Sequence, residues 1–144
     1  MILDANNIWS DQQAITATAA STNVLDLGAA GTPFGSPVAL TPDIGKEFDI
    51  PIAIICQQAF NNLTSLTVAF QTATDAAFTT PVEVATRTYL AAELAAVGLL
   101  NFPARVPQGT NLRFTRLLYT VTGTAPTTGK VFAGIVAARQ TNDH

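Results

Sequence analysis

Three carboxylates close together in the chain are the first residues whose types and spacing could do chemistry. Asp43, Glu47 and Asp49 lie within seven positions of one another, with Lys46 among them. Calcium-binding loops place oxygen ligands at regular intervals, and this cluster lacks that spacing. A solvated loop that leads into a strand explains the cluster better. No other carboxylates in the sequence indicate an acid–base pair of the glycosidase kind.

The residue types that usually serve as nucleophiles, bases and zinc ligands are scarce. His144 is the only histidine and the last residue, and Cys56, the only cysteine, lies in an apolar run. One cysteine cannot form a disulfide within the chain, and Ser-His-Asp, Cys-His and Cys/His zinc sites all need an internal imidazole. Residues 28–35 are glycine-rich, but Pro33 interrupts them and no Lys-Ser/Thr pair follows, so they predict a flexible loop rather than a phosphate site. We therefore expect no cofactor, no metal and no enzymatic activity.

Two neighbouring arginines, Arg113 and Arg116, are the remaining candidates for a binding role. Arginine forms bidentate pairs with carboxylates, so both residues could face a partner protein. Alternatively, they mark a charged edge or exposed face of a sheet, where charge prevents unwanted strand pairing. The sequence leaves these two interpretations open.

The overall composition indicates one weakly acidic domain. The chain has 144 residues, of which 12% are charged, about half of the roughly 25% that is usual in soluble domains. Seven basic residues against ten acidic ones give a net charge of -3, which provides no electrostatic footprint for nucleic acid. The start lacks the regions of a secretory signal, and the most apolar stretch, residues 50–60, is shorter than the roughly 20 residues of a membrane helix. We expect a soluble protein made in a cytoplasm, with no nucleic acid or membrane as partner.

Alternation of apolar and polar residues with a period of two is the dominant local signal, and it predicts β-strands. It is clearest over residues 48–56, 66–71 and 131–138, and the last is apolar on both faces, as expected for a strand between the core and a partner. Weaker patterns predict strands over residues 14–19, 23–27, 38–41, 81–88, 97–102 and 112–122. The apolar phase changes near Thr115, which indicates a β-bulge or bend there.

Residues 89–97 are the segment with helical propensity, because alanine and leucine dominate them before Gly98. They predict one short connecting helix or a 3₁₀ turn. Eight or nine short strands separated by turn residues are typical of an all-β, single-domain antiparallel β-sandwich, and a jelly roll is the leading arrangement for that number. We assign residues 14–144 to this jelly-roll domain.

Residues 1–13 differ from the rest of the chain and form a predicted N-terminal arm. They hold four large apolar residues among polar ones, namely Ile2, Leu3, Ile8 and Trp9, the only tryptophan. These side chains could close the bottom of the core ahead of the first strand. Equally, the segment could dock on a neighbouring subunit, where tryptophan anchors are over-represented.

Several segments, in order along nearly the whole chain, resemble the capsid cement proteins of tailed bacteriophages, which decorate the outside of the head. The most specific are residues 2–4 (ILD) and 9–28 (WSDQQAITATAASTNVLDLG). The others are residues 70–78 (FQTATDAAF), 112–123 (LRFTRLLYTVTG) and 128–140. The resemblance implies a jelly-roll fold, no enzymatic activity, and homo-oligomers that straddle adjacent capsomers of an HK97-like shell.

The function implied by the resemblance is that of a structural virion protein, which binds the major capsid protein on the outer surface of the phage head and cements capsomers. Such a protein stabilises a shell by binding the assembled lattice better than free subunits, which needs complementary surface rather than reactive groups. The residues predicted to contact the capsid or another subunit are Ile2, Leu3, Ile8, Trp9, Arg113 and Arg116. Because twofold symmetry is the commonest in oligomers, we expect a homodimer, with a trimer as the alternative. Deletion of residues 1–13 is predicted to lower capsid occupancy or oligomer size while the β-sheet circular dichroism stays intact.

A carbohydrate- or receptor-binding β-sandwich module of a phage particle is the alternative hypothesis. Sugar sites usually present exposed aromatic platforms. The chain has eight Phe but only one Trp and two Tyr, and most of the Phe residues are in phase with the core. This distribution disfavours glycan binding.

Overall fold

The computed structural model describes residues 3–40, 43–47 and 49–137, and within these ranges the chain is all-β, with nine strands and no helix. The strands, in chain order, are β1 (Leu3–Ala14), β2 (Ala19–Ala20), β3 (Leu25–Asp26), β4 (Ile52–Gln58), β5 (Leu63–Ala73), β6 (Val82–Leu90), β7 (Gly98–Leu99), β8 (Phe114–Gly123) and β9 (Lys130–Val136).

The strands form two antiparallel sheets. One sheet has the order β1-β9-β4-β7, and the other has the order β2-β8-β5-β6, with β3 also paired to β8. The pairing is nested. Strand β1 pairs with β9, β2 and β3 both pair with β8, β4 pairs with β7, and β5 pairs with β6. The prediction of an all-β antiparallel sandwich is confirmed.

The core lies between the sheets, where one apolar cluster takes residues from both, such as Ile54 of β4 and Phe70 of β5. Strand β9 runs between β1 and β4, and Val131, Phe132 and Val136 are all buried. These residues alternate between the two faces of the strand, so both faces are covered within the chain itself. The expectation that a partner covers one face of β9 is therefore wrong for them.

The helix predicted over residues 89–97 is wrong, and the alternative of a 3₁₀ turn is matched only by the turns of residues 91–94, where the Glu93 and Leu94 N–H groups donate to the carbonyls three residues before them. Strand β6 continues to Leu90, because Tyr89 pairs with β5 and is buried in the core. Residues 91–96 then form only turns and bends. The Leu94 side chain in this segment packs into the core and has no exposed surface. A helix is costly to nucleate, and the few residues left before the next strand cannot repay that cost.

The β-bulge predicted near Thr115 is also wrong. Strand β8 pairs with β5 in unbroken register from Phe114 to Thr122. Thr115 takes the core side of the strand and is 1% exposed, whereas Phe114 lies half-buried on the opposite side. The apolar residues of this strand therefore change face without any shift of the backbone.

The segment predicted as an N-terminal arm is, over residues 3–13, part of strand β1. This strand lies at the edge of the four-stranded sheet and pairs with β9 through three register shifts. Its other side is contacted by Asn23, whose backbone N–H donates to the Trp9 carbonyl at 2.9 Å and whose side chain donates to the Ile8 carbonyl at 3.0 Å. The predicted boundary between arm and domain therefore falls inside a strand.

Candidate docking surface

The described residues contain no group of three or more His, Cys, Asp or Glu side chains placed to hold a metal ion. None of the described segments forms a helix of the length and apolarity needed to cross a membrane. Cys56 is fully buried, and this burial raises the pKa of its thiol.

Trp9 lies in the core rather than on the surface. The residue is 1% exposed and packs edge-to-face on Phe70, with ring centroids 5.4 Å apart. Its indole N–H donates to the Thr115 hydroxyl at 3.2 Å, which satisfies the only donor of the side chain. Of the two interpretations of the N-terminal segment, the structure favours the one in which Trp9 closes the core.

The other predicted contacts in the N-terminal segment lie on or near the edge strand. Ile8 is half-buried, and its backbone pairs with Gly134 of β9. Leu3 begins β1 and pairs with Val136. Ile2 lies outside the described residues.

Arg113 forms an ion pair within the chain. Its guanidinium donates to both carboxylate oxygens of Asp26, at 2.7 Å from Nε and 2.6 Å from Nη2, and lies 4.9 Å from the centre of the Phe114 ring. These hydrogen bonds, with one from the Gly28 backbone N–H, lower the pKa of Asp26 to about 2. The bidentate capacity of Arg113 is thus used to hold β3 against β8, although both side chains remain more than 40% exposed.

Arg116 begins a row of polar side chains across the outer face of the five-stranded sheet, the face turned away from the core. Its Nε donates to Gln71 Oε1 at 2.9 Å, and Gln71 Nε2 donates to Glu83 Oε1 at 3.1 Å. The guanidinium covers the Phe78 ring, 4.2 Å from its centroid, and burial there lowers the pKa of Arg116. Because Arg116 follows the core residue Thr115 in the strand, it lies on the opposite side of the sheet from the Trp9 side chain. The predicted contact residues do not form one patch.

Beside the Arg116 row, the outer face of the sheet is uncharged. The strand register places six residues in two rows across β6, β5 and β8, which we term the threonine face: Thr88, Thr67 and Thr120, then Thr86, Ala69 and Leu118. The Thr67 and Thr88 hydroxyls are hydrogen-bonded at 2.8 Å. Thr86 and Thr88 are exposed to solvent, whereas Val68, between Thr67 and Ala69 in β5, is fully buried on the core side.

Strand β6, which contributes Thr86 and Thr88 to the threonine face, is an edge strand of the five-stranded sheet. It pairs with β5 on one side, and at its end the Leu90 N–H turns away from β5 and donates to the Glu93 carboxylate at 2.8 Å. In an antiparallel ladder every second residue directs its backbone groups to the same side, so the N–H and C=O groups of Thr88 and Thr86 also point away from β5. Edge backbone of this kind can pair with a strand from another protein.

A second exposed feature is the loop of residues 28–40 between β3 and β4, which we term the Phe34 loop. Two backbone hydrogen bonds, of 2.9 Å and 3.0 Å, close its base and its tip. Phe34 at the tip is completely exposed, and Val38 and Leu40 are more than half exposed. The strand predicted over residues 38–41 is not formed by residues 38–40.

Neither exposed feature is among the contact residues predicted from the sequence. The loop resembled a flexible connector because glycine and proline dominate it. The signal that could have marked it is a phenylalanine between Pro33 and Gly35 in a stretch without charge. For the threonine face, the signal is a set of strands whose polar positions are threonine rather than lysine or glutamate.

Comparison with known protein families gives a match to the Bbp16 family model over residues 9–135. Comparison with curated proteins gives no match. The matched region runs from β1 to β9 and so includes strands of both sheets. The chain therefore belongs to the Bbp16 family, a family whose name is phage-related.

Proposed function

We propose that this chain is a structural protein of a phage virion. It binds the major capsid protein on the outer surface of an HK97-like head, as a homo-oligomer, and cements adjacent capsomers. Membership of a phage-related family supports the association with a virus particle. The segments that resemble phage cement proteins, such as residues 9–28, support the cementing role. The proposed role is mechanical and uses no enzymatic chemistry, cofactor, nucleic acid or membrane.

The sandwich is, in this proposal, a jelly roll. The nested pairing of first strand with last, and so on inward to β5 with β6, is the pairing of one long hairpin rolled into two sheets. Double-sheet rolls of this kind leave few long open edges. Strand β6, with nine residues, lies at one edge of the five-stranded sheet.

The observation that carries the proposal is the open edge of β6 beside an uncharged face. A strand of the capsid protein could pair with this edge through the outward N–H and C=O groups of Thr86 and Thr88. The threonine face would then lie against the shell. Burial of threonine and alanine avoids the large desolvation cost of an unpaired charge, so this face suits a stable contact.

The carbohydrate- or receptor-binding alternative has less support in the described residues. Trp9, Tyr89 and Tyr119 are each 1% exposed or less, so these rings are not available to stack on a sugar. Among the described residues, Phe34 is the aromatic residue whose side chain is fully exposed. Hits on a glycan array that disappear in Phe34→Ala would favour the alternative over the capsid role.

A lysine placed on the β6 edge tests the proposal. Thr86→Lys puts a charge where the capsid strand would pair, and a desolvated, unpaired charge costs several kcal/mol. We therefore expect the affinity for phage heads that lack this chain to fall at least about tenfold, as measured by co-sedimentation.

Thr16→Lys is the matched control, because Thr16 is an exposed threonine near β2, at the opposite edge of the same sheet. This variant should bind heads as the unmodified chain does. Equal binding by both variants would refute docking through β6. Failure of the unmodified chain to bind heads at all would refute the cementing role itself.

A further inference from the structure

Arg116 differs from the other arginines of the described residues in having no carboxylate beside it. The others form ion pairs within the chain, namely Arg87 with Glu93, Arg105 with Asp49 and Arg113 with Asp26. Arg116 forms no ion pair with any residue that the structure describes, although it is half-buried. The desolvation of this cation is therefore not offset by a counter-ion from the described part of the chain.

The contacts of Arg116 hold one edge of its guanidinium in place and leave the other edge open. Its Nε donates to Gln71 Oε1 at 2.9 Å, and Gln71 is itself 3% exposed and hydrogen-bonded to Glu83. The buried ring of Phe78 supports the guanidinium, with 4.2 Å to the ring centroid. The two Nη groups donate to no described residue, and both reach solvent. Arg116 thus presents its Nη edge from a fixed position, which limits the conformational entropy lost on binding.

The open Nη edge fits the two oxygens of a carboxylate. Its N–H groups form a fork that can donate two parallel hydrogen bonds to one carboxylate group. Glu83 does not fill this position, because Gln71 lies between it and the guanidinium and forms hydrogen bonds with both. The free edge is therefore available to a carboxylate of another protein.

Arg116 borders the threonine face on the outer side of the five-stranded sheet. It precedes Leu118 by two residues in β8, and Gln71 follows Ala69 by two residues in β5, so both lie one row from that face. Successive side chains on one face of a strand are about 7 Å apart. A protein that covers the threonine face therefore also covers the guanidinium, and it removes from water a cation without a counter-ion.

We propose that Arg116 binds an aspartate or glutamate side chain of the major capsid protein when the threonine face docks on the shell. This inference rests on the proposed function, in which that face lies against the head. A carboxylate at this point compensates the charge that docking buries. A capsid surface without one leaves the cation buried and unpaired, which strongly disfavours the contact. Arg116 thereby determines which part of the shell this face accepts.

Removal of the charge tests the pair. In Arg116→Gln the capsid carboxylate is buried without its partner, and loss of one member of a buried charge pair should weaken binding at least about 30-fold. Co-sedimentation with heads that lack this chain measures the affinity. Arg116→Lys keeps the charge but cannot form the two parallel hydrogen bonds, so its affinity should lie between those of the unmodified chain and Arg116→Gln. Unchanged circular dichroism confirms that each variant is folded.

Arg105→Gln is the matched control, because it makes the same change of charge at an exposed ion pair. Arg105 is paired with Asp49, and its backbone bridges to Pro51 beside the four-stranded sheet. Exposed ion pairs contribute little, so the affinity for heads should stay within about threefold of the unmodified value. An equal loss in Arg105→Gln and Arg116→Gln would indicate an effect of net charge and would overturn the specific pair.

Charge reversal identifies the capsid residue. Arg116→Glu places a carboxylate against a carboxylate, so it should bind heads more weakly than Arg116→Gln does. Heads in which the matching aspartate or glutamate is replaced by arginine should restore the affinity of Arg116→Glu to within about tenfold of the unmodified pair. Replacing the acidic residues on the outer surface of the head one at a time locates this residue.

Binding of Arg116→Gln within about threefold of the unmodified chain would overturn the inference, as would the failure of every capsid replacement to restore the binding of Arg116→Glu. If Thr86→Lys loses affinity while Arg116→Gln does not, docking through β6 stands and only the Arg116 pair is wrong. Failure of the unmodified chain to bind heads would refute the cementing role and the pair together.

Discussion

Replacement of Trp9 by alanine is expected to lower the unfolding free energy by about 4–5 kcal/mol. Trp9 is 1% exposed, and its ring packs edge-to-face on Phe70 at an interplanar angle of 82°. Truncation of a buried Phe or Trp to Ala costs about 3–5 kcal/mol. The upper half of that range applies because the buried Thr115 hydroxyl also loses the indole N–H, its donor at 3.2 Å.

Urea unfolding followed by far-ultraviolet circular dichroism measures this cost, since Trp9 is the only tryptophan and its fluorescence disappears with it. With a slope of about 2 kcal/mol/M for a domain of this size, the midpoint should fall by about 2 M. Phe34→Ala is the matched control, because it truncates a completely exposed aromatic and should change the unfolding free energy by less than about 0.5 kcal/mol. Both variants are compared at one protein concentration, because self-association shifts apparent stability.

The competing interpretation of Trp9 as an intersubunit or capsid anchor makes the opposite prediction. It requires that Trp9→Ala leave the midpoint unchanged while assembly weakens, and such a result would refute the core role argued from burial. The same reasoning changes the expected outcome of deleting residues 1–13. Because those residues include most of β1, the deletion should now abolish the β-sheet circular dichroism rather than leave it intact.

Three further predictions concern charge, alkaline pH and a glycine. Because the folded pKa of Asp26, about 2, lies below the ordinary 3.8, its ion pair stabilises the fold above roughly pH 4, and this contribution disappears as the pH falls toward 2. Asp26→Asn should therefore lower the thermal midpoint at neutral pH but not near pH 2, and an equal loss at both pH values would contradict the linkage. Burial raises the pKa of Tyr119, so the free energy of unfolding should fall as the pH rises above about 10, where the phenol ionises in the unfolded chain. In urea titrations across this pH range, the unfolding free energy of Tyr119→Phe should fall less. Parallel curves for the two proteins would exclude this cause. Gly129→Ala should cost about 1–3 kcal/mol in urea unfolding, because its Cβ overlaps the Phe60 ring, whereas Gly28→Ala, also at positive φ but in open space, should cost less.

The regular strands could be predicted from the sequence because apolar and polar residues alternate along them, and this alternation indicates which face of each strand is buried. Residues 66–71 alternate, and they form the middle of β5, whose core-side residues are fully buried. Strand β1 escaped prediction because its pairing with β9 shifts register three times and Gln12 has a positive φ of 47°. Each shift changes which residues face the core, so a bulged strand loses the period of two that would reveal it.

Tertiary contacts explain the other differences from the sequence-based predictions. Alanine-rich residues 89–97 favour a helix locally, but Tyr89 stabilises the fold more as a buried strand residue than as part of one or two helical turns. The apolar pattern of strand β8 led to the prediction of a bulge because Phe114 is an apolar residue on the outer face. The Arg113 guanidinium lies against its ring there. Neither effect can be inferred from neighbours in sequence.

The placement of the charges explains why the candidate site could be predicted only in part. Arg113 and Arg116 were predicted to face a carboxylate of a partner protein or to mark a charged face of a sheet, but the groups that they contact in the structure, Asp26 and Gln71, belong to this chain. Arg105 likewise pairs with Asp49 at 3.0 Å, so each of these arginines joins segments distant in sequence. Among the described residues, the threonine face and the Phe34 loop are two surfaces that carry no charged side chain. Apart from the Arg116 pair, the proposed capsid contact therefore rests on shape and backbone hydrogen bonds, and charge screening by salt should matter little to it.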